Sequence, residues 1–277
     1  MHLPNQDTPA MRAAAMRYRS ATRQRGLSLI ELMVAMVIGC FLILGVTQIF
    51  ISNQKSYLFQ QGQVGNQENG RFALAILSQE LSKAGYRSNP YQAFSKGSGQ
   101  SCTFPEGSSV IANSATSVCI RYQASNRLDV SCQGTALSET DQASIDTPYD
   151  RLKENPVIVE KIYFDPATSS IICASGSGSQ QLVTGVAALR FDYGSGSADL
   201  KTVTTYGTAT TDVIGAVRYA VLMKSPGSAS LQDTTDAKSP ALTEWDSRYG
   251  TTLAASDKSA QLYQLLQGTM MIRNQMQ

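Results

Sequence analysis

Histidine is almost missing from this 277-residue chain; the single one, His2, stands at the second position. If the first residues are removed, as argued below, no imidazole remains to serve as general base, zinc ligand or pH switch. A Gly-x-Ser-x-Gly elbow and cysteines at metal- or redox-motif spacing are lacking too, so catalysis loses its commonest tools. Ser52-Asn53-Gln54-Lys55 has Ser-x-x-Lys spacing without any supporting motif and reads as a solvated helix face. Together these absences argue against an enzyme, and no cofactor is implied. Proline does not occur between Pro9 and Pro90, so one long helix can cross that interval. Charged residues make up only 16% of the chain against 42% hydrophobic, the composition of a folded, rather polar domain rather than a disordered tail.

Charge is scarcest where apolar residues run longest. From Leu27 to Ile51, Glu31 is the only charged residue. At about 1.5 Å per helical residue this run is long enough to cross a ~30 Å hydrocarbon core. The arginines just upstream, Arg23 and Arg25, predict that this end stays in the cytoplasm. A carboxylate inside such a helix costs on the order of 2.5–3.5 kcal/mol at mid-bilayer and less near an interface, so Glu31 asks for a partner. A secretory signal is cut after its apolar region. Here the cleavage-like feature, Arg25-Gly26 followed by Leu27, comes before it. A cut there removes a basic leader and leaves Leu27 as the first residue, with Glu31 the fifth.

Basic residues, Gly26, the segment Leu27-Ser28-Leu29-Ile30-Glu31 and an unbroken apolar run, in that order, resemble the prepilin leader of type IV pilins and type II secretion pseudopilins. The resemblance implies that a prepilin peptidase cuts after Gly26 and that the new amine of Leu27 is methylated. It implies further that Glu31 neutralises the amine of a neighbouring subunit inside a helical fibre. These families commonly begin the processed chain with Phe; Leu27 departs from that and leaves the role of the glutamate intact.

The formal charge of +2 is set by the leader, whose arginines outnumber its one acid, Asp7. Behind Gly26 the chain is near −2, so net charge points to no nucleic-acid partner. A local patch of Arg121, Arg127, Arg151 and Lys153 is the only arrangement that speaks for one. Four cysteines, Cys102, Cys119, Cys132 and Cys173, lie beyond the membrane run and read as two disulfides of an exported domain. Of the three connectivities, Cys102–Cys119 with Cys132–Cys173 is favoured; free or metal-binding thiols are the alternative. Cys40 reads as a small apolar residue of the spanning helix.

The organisation follows in order: leader 1–26, membrane and assembly helix 27–51, amphipathic continuation 52–87, and a β-rich head 88–277. In the continuation, Leu74, Leu77, Leu81 and Ala84 follow helical spacing, with Phe72 and Ile76 widening the stripe, and Gly85 is a natural stop. Gly62, Gly65 and Gly70 weaken the helix between its halves, which suggests either a flexible joint or merely poor helix. Strands are expected at Ser117–Gln123, Pro156–Phe164, Ser170–Ala174, Ala188–Tyr193, Ala216–Lys224 and Leu262–Arg273. Arg127–Cys132 is expected as a hairpin partner of the first, and Asp165-Pro166-Ala167-Thr168 as a turn. The Gly-Ser pieces at 176–179 and 194–197 read as turns or short flexible loops, not phosphate cradles, since neither has the lysine or helix entry that role needs. Residues 225–260 read as a long polar loop pinned to the domain by Trp245. The fold class is α+β, the helix lying across an antiparallel sheet, in agreement with the pilin fold that the leader implies.

Beyond the helix, Gln67-Glu68-Asn69-Gly70-Arg71-Phe72-Ala73-Leu74, Ala84-Gly85-Tyr86-Arg87 and Leu189-Arg190-Phe191-Asp192-Tyr193-Gly194 resemble the PilW group of minor type IV pilins. Leu182–Val186, Val217-Arg218-Tyr219 and Met271-Ile272-Arg273-Asn274 fit the same group, whereas residues 88–115 and 225–260 match nothing in it. The resemblance implies a low-copy subunit that helps to initiate pili and sits near the fibre tip. Its implied partners are the prepilin peptidase, other minor pilins, the major pilin, the inner-membrane assembly platform and the lipid bilayer. Its implied location is the bacterial inner membrane, head in the periplasm, and then the fibre. The alternatives are a secretion pseudopilin, or a tip adhesin or DNA-capture subunit using loops 88–115 or 225–260.

Overall fold

A long helix, α1 (Leu29–Lys83), opens the computed structural model, which describes Gly26 and residues 28–145, 155–196, 202–210, 212–225, 239–256 and 261–275. Residues 1–25, expected as the leader, together with Leu27, Arg151, Lys153 and most of the expected 225–260 loop before Ser239, lie outside the described residues. The chain falls into two compact units, divided after Ser52.

In the first unit α1 is apolar and its large side chains, from Leu29 to Ile51, are exposed. It is long and apolar enough to cross a membrane.

The second unit starts with the rest of α1 and continues through β1 (Gly97–Gly99), β2 (Cys102–Phe104), β3 (Val110–Ser114) and β4 (Ser117–Gln123). After the short α2 (Glu139–Ser144) come β5 (Val157–Asp165), β6 (Ser170–Ser175), β7 (Gly178–Thr184), β8 (Val186–Gly196), β9 (Val203–Gly207) and β10 (Ile214–Lys224). The short helices α3 (Pro240–Tyr249) and α4 (Leu253–Ser256), strand β11 (Tyr263–Met271) and a 3-10 turn, Arg273–Gln275, complete it. All strand pairs among the described residues are antiparallel, and the class is α+β. One sheet has the order β3-β4-β5-β6-β7, a second β11-β10-β8-β9, and β1 pairs with β2 alone.

A single core joins α1 to both large sheets. Ala73, Leu77, Leu81 and Ala84 meet Val118, Ile120, Ile162 and Ile171 of the first sheet and Phe191, Val217, Val221 and Met223 of the second. Each fully buried Leu or Ile here contributes about 1.5–3 kcal/mol. The stripe is narrower than the apolar spacing predicts. Leu74 and Ile76 are half-buried, and Phe72 is 53% exposed, because small Ala73 takes the inward position. Gly85, at φ +79°, ends the helix in the left-handed region and donates its N–H to Arg121 O at 3.0 Å.

The glycine-rich stretch is not a break: α1 runs through it as continuous helix. Gly62 and Gly70 are buried against β11, where a Cβ would stand 3.2 Å from Leu262 Cδ1 and 2.5 Å from Leu266 Cδ1. They let the helix approach the sheet, with Asn66 between them donating to Leu262 O at 2.9 Å. Gly65 faces away and meets nothing.

Other expectations need correction. Arg127–Cys132 is not the hairpin partner of β4, which pairs with β3 and β5 instead. The Asp129 carboxylate accepts from the backbone N–H groups of Ser125 and Asn126 and turns the chain before a strand can form. Gly194–Gly196 is not a turn but the end of β8, with Gly194 packed under Tyr206 of β9. The described part of the 225–260 loop is largely helical. There Trp245 is buried with Leu242, Ala220 and Leu222, and its ring lies 4.6 Å from Tyr249 in an edge contact.

Candidate processing and assembly site

Helix α1 closes its first turn on Ser28, whose carbonyl accepts from the N–H groups of Glu31 (3.0 Å) and Leu32 (3.2 Å). This puts Glu31 in the first turn, where the helix dipole favours an anion. Gly26, three residues before the helix, is exposed, with nothing within 4 Å of the place a Cβ would take. Glu31 is exposed among exposed Leu29, Ile30, Met33 and Val34 and has no partner among the described residues. An accessible glycine and an unpaired carboxylate on a strip of apolar side chains are thus brought together at one helix end. In an apolar setting such a carboxylate calls for a cation or hydrogen-bond donor, and no described residue supplies one.

The four cysteines of the second unit are joined as Cys102–Cys119 and Cys132–Cys173, with Cα separations of 6.5 and 6.3 Å. Cys40 is free and exposed on α1. The Cys132 and Cys173 sulfurs lie within 4.8 Å of a Glu160 carboxylate oxygen, a donor set of metal-site size. The disulfide occupies both sulfurs, so the set cannot coordinate an ion as it stands.

Glu160 itself is a group that periodicity did not bring forward. It is fully buried on β5, where Ile158, Glu160 and Ile162 point to one face. A carboxylate at an inward position of an apolar alternation was the available signal. Its Oε1 accepts from Tyr122 Oη at 2.8 Å and from Cys132 N–H at 2.7 Å, while Oε2 has no partner. Burial, followed by the charge of Glu80, raises its pKa from 4.5 to about 7, against the pull of Lys83 and the two hydrogen bonds. Glu80 sits buried on the core face of α1 and takes Lys83 Nζ at 2.6 Å. Tyr122, donating to Glu160, is pushed up by burial and by that carboxylate.

Arg121 does not belong to a surface basic patch. It is 3% exposed, and its guanidinium donates to the carbonyls of Ser108 (2.7 Å), Ser95 (2.7 Å) and Pro105 (2.9 Å). The rings of Phe94 and Phe104 lie 4.7 and 4.9 Å from its Cζ. It ties segment 94–108 to β4. A groove of about 750 Å³ beside β5 is lined largely by serine, glycine and glutamine, with Asp141 as its titratable side chain. In that lining Ser138 Oγ donates to Asp141 Oδ2 at 2.7 Å and accepts from Asp141 N–H at 3.1 Å, as the N-cap of α2.

The prokaryotic N-terminal methylation motif matches residues 21–47 of this chain. No curated protein matches the chain. Among solved structures, a type IV-like pilin from Thermus thermophilus is similar over 76% of this chain and 96% of its own, at 13% identity and a TM-score of 0.42.

Proposed function

We propose that this chain is a structural minor pilin that takes part in the initiation and assembly of type IV pili, in a priming or tip complex with other minor pilins. The reading is carried by one observation: the methylation motif over 21–47 coincides with an unpaired Glu31 on the first turn of an exposed apolar helix. A prepilin peptidase cuts the Gly26–Leu27 bond at the cytoplasmic face, and the Leu27 amine is methylated. The helix then leaves the bilayer for a bundle of like helices. In that bundle Glu31 and a neighbour's amine have few other partners, and a misplaced subunit leaves a charge buried and unpaired, which is heavily penalised. Glu31 therefore sets register more than raw stability. The head is held on the far side of the membrane and works by contact with other subunits, without catalysis.

The test is a Glu31→Ala substitution in the native host. Membrane insertion should be unchanged and entry into the fibre lost; normal piliation with the variant subunit in place contradicts the reading. Deleting the gene distinguishes the related secretion role: loss of surface pili supports a pilus subunit, whereas loss of protein secretion with pili intact assigns the chain to a pseudopilus.

A further inference from the structure

Of the edge strands of the two large sheets, three are blunted. β3 and β9 are five residues long and carry a register irregularity, and the pairing of β7 is irregular at Ile171/Ile172. Gln133 Nε2 also covers Gly178 O at the start of β7, at 2.5 Å. β11 has none of these devices within its own strand, although α3 lies on one face of it, where Arg248 donates to the Gln267 side chain at 2.8 Å. Its nine residues pair with β10 without any shift, and it contains no Lys, Arg, Asp, Glu or Pro. Shortening, bulges, prolines and charges are how sheets keep other strands off their edges.

The direction of its free groups follows from the register. Ile272 N–H donates to Gly215 O, and Leu262 O accepts from Ser225 N–H, so the even-numbered residues turn their backbone toward β10. Leu265, Gln267, Thr269 and Met271 therefore present N–H and C=O groups to the outer edge, where no described residue pairs with them. Gln267, Thr269 and Met271 are exposed. We propose that this edge takes up an extended, uncharged strand from a second, non-identical pilin-class subunit, extending the sheet across the subunit boundary.

The occupant follows from size and direction. An edge about 30 Å long and about 10 Å thick offers about 300 Å² per partner, well below the roughly 800 Å² per partner of a stable free pair. The partner must therefore be held nearby by another attachment, which a subunit anchored in the same membrane has. A second copy of this chain is the wrong partner. α1 keeps pace with β11 in the same direction: Gly62 lies against Leu262, Gly70 against Leu266, Ser78 against Met270, and Ala84 O takes Asn274. Eight helical residues, about 12 Å, match four strand residues, about 13 Å. Symmetric self-pairing of β11 is antiparallel and would set the two helices head to tail. Copies that enter a bundle with their α1 helices parallel, as proposed above, cannot share that arrangement, whereas a different subunit can present a strand of either direction.

This inference rests on the pilin reading above, and its test separates the two. Amide hydrogen exchange is measured on the unmodified full chain, alone in host membranes and within assembled fibres. The account expects Leu265, Gln267 and Thr269 amides to slow at least tenfold on assembly; equal exchange in both states overturns it. A photo-crosslinking residue at Met271, in chains labelled with mixed isotopes, should join an extended segment of another pilin-class subunit. Crosslinks pairing two copies of this chain overturn it. Thr269→Pro, which deletes an outward N–H that an edge strand does not need, should abolish the crosslink while Thr269→Val keeps it; a crosslink unaffected by proline overturns the proposal. If Glu31→Ala blocks assembly yet the β11 amides of assembled wild-type chains exchange freely, only the strand pairing fails. If Glu31→Ala changes nothing, the pilin reading fails.

Discussion

Glu160 shows most directly what one residue contributes. With its carboxyl pKa raised to about 7 by burial and by Glu80, the folded head binds a proton that the unfolded chain releases near 4.5. Its contribution to stability is complete below about pH 4.5 and is lost as pH rises through 7. Thermal unfolding of the detergent-extracted chain should therefore give a higher Tm at pH 5 than at pH 8. Glu160→Gln, which keeps acceptor and shape without the charge, should flatten that slope; an unchanged slope assigns the pH dependence elsewhere. Arg121 makes a second residue-scale prediction. A lysine ammonium cannot reach three carbonyls spread around a planar fork, so Arg121→Lys should cost at least about 2 kcal/mol in denaturant unfolding. Near-neutral behaviour would mean that segment 94–108 is held by other contacts.

At the scale of elements, the glycines of α1 separate helix propensity from packing. Gly65→Ala, in open space, should stabilise the head by up to about 1 kcal/mol. Gly70→Ala makes the same propensity gain but drives a methyl into Leu266, and should be neutral or destabilising. Equal gains at both sites would contradict the seating of α1 on β11. The disulfides close sequence separations of 17 and 41, for which chain entropy suggests about 3 and 4 kcal/mol. Replacing Cys132 and Cys173 together by alanine should accordingly lower stability more than replacing Cys102 and Cys119. The long helix, the β5–β6 hairpin and strands β4, β8, β10 and β11 were legible because apolar period and turn residues agreed. What escaped had no local signal. Gly62 and Gly70 look like helix weakness until β11, some 200 residues later, lies against them. Arg121 looks like surface charge until Phe94 and Phe104 close over it. Helix α3 hides in a polar stretch because only Leu242 and Trp245 are buried from it.

For the whole molecule, the reading proposed above requires that the basic residues before Leu27 be removed from the apolar helix and the head that follows. The arginines before Leu27 carry the positive excess of a chain whose sequence pI is about 8.2. A trimmed chain near −2 should focus on the acidic side, and a basic band from the membrane fraction would contradict trimming. Without the cut, Glu31 has no freshly exposed amine to meet in a neighbouring subunit, and the register argument has no second charge. The most direct measurement is intact-mass and terminal-peptide mass spectrometry of the protein extracted from host membranes. The mature chain should begin at Leu27 with a methylated amine. A chain that still carries Arg23-Gln24-Arg25 ahead of Gly26 would contradict it.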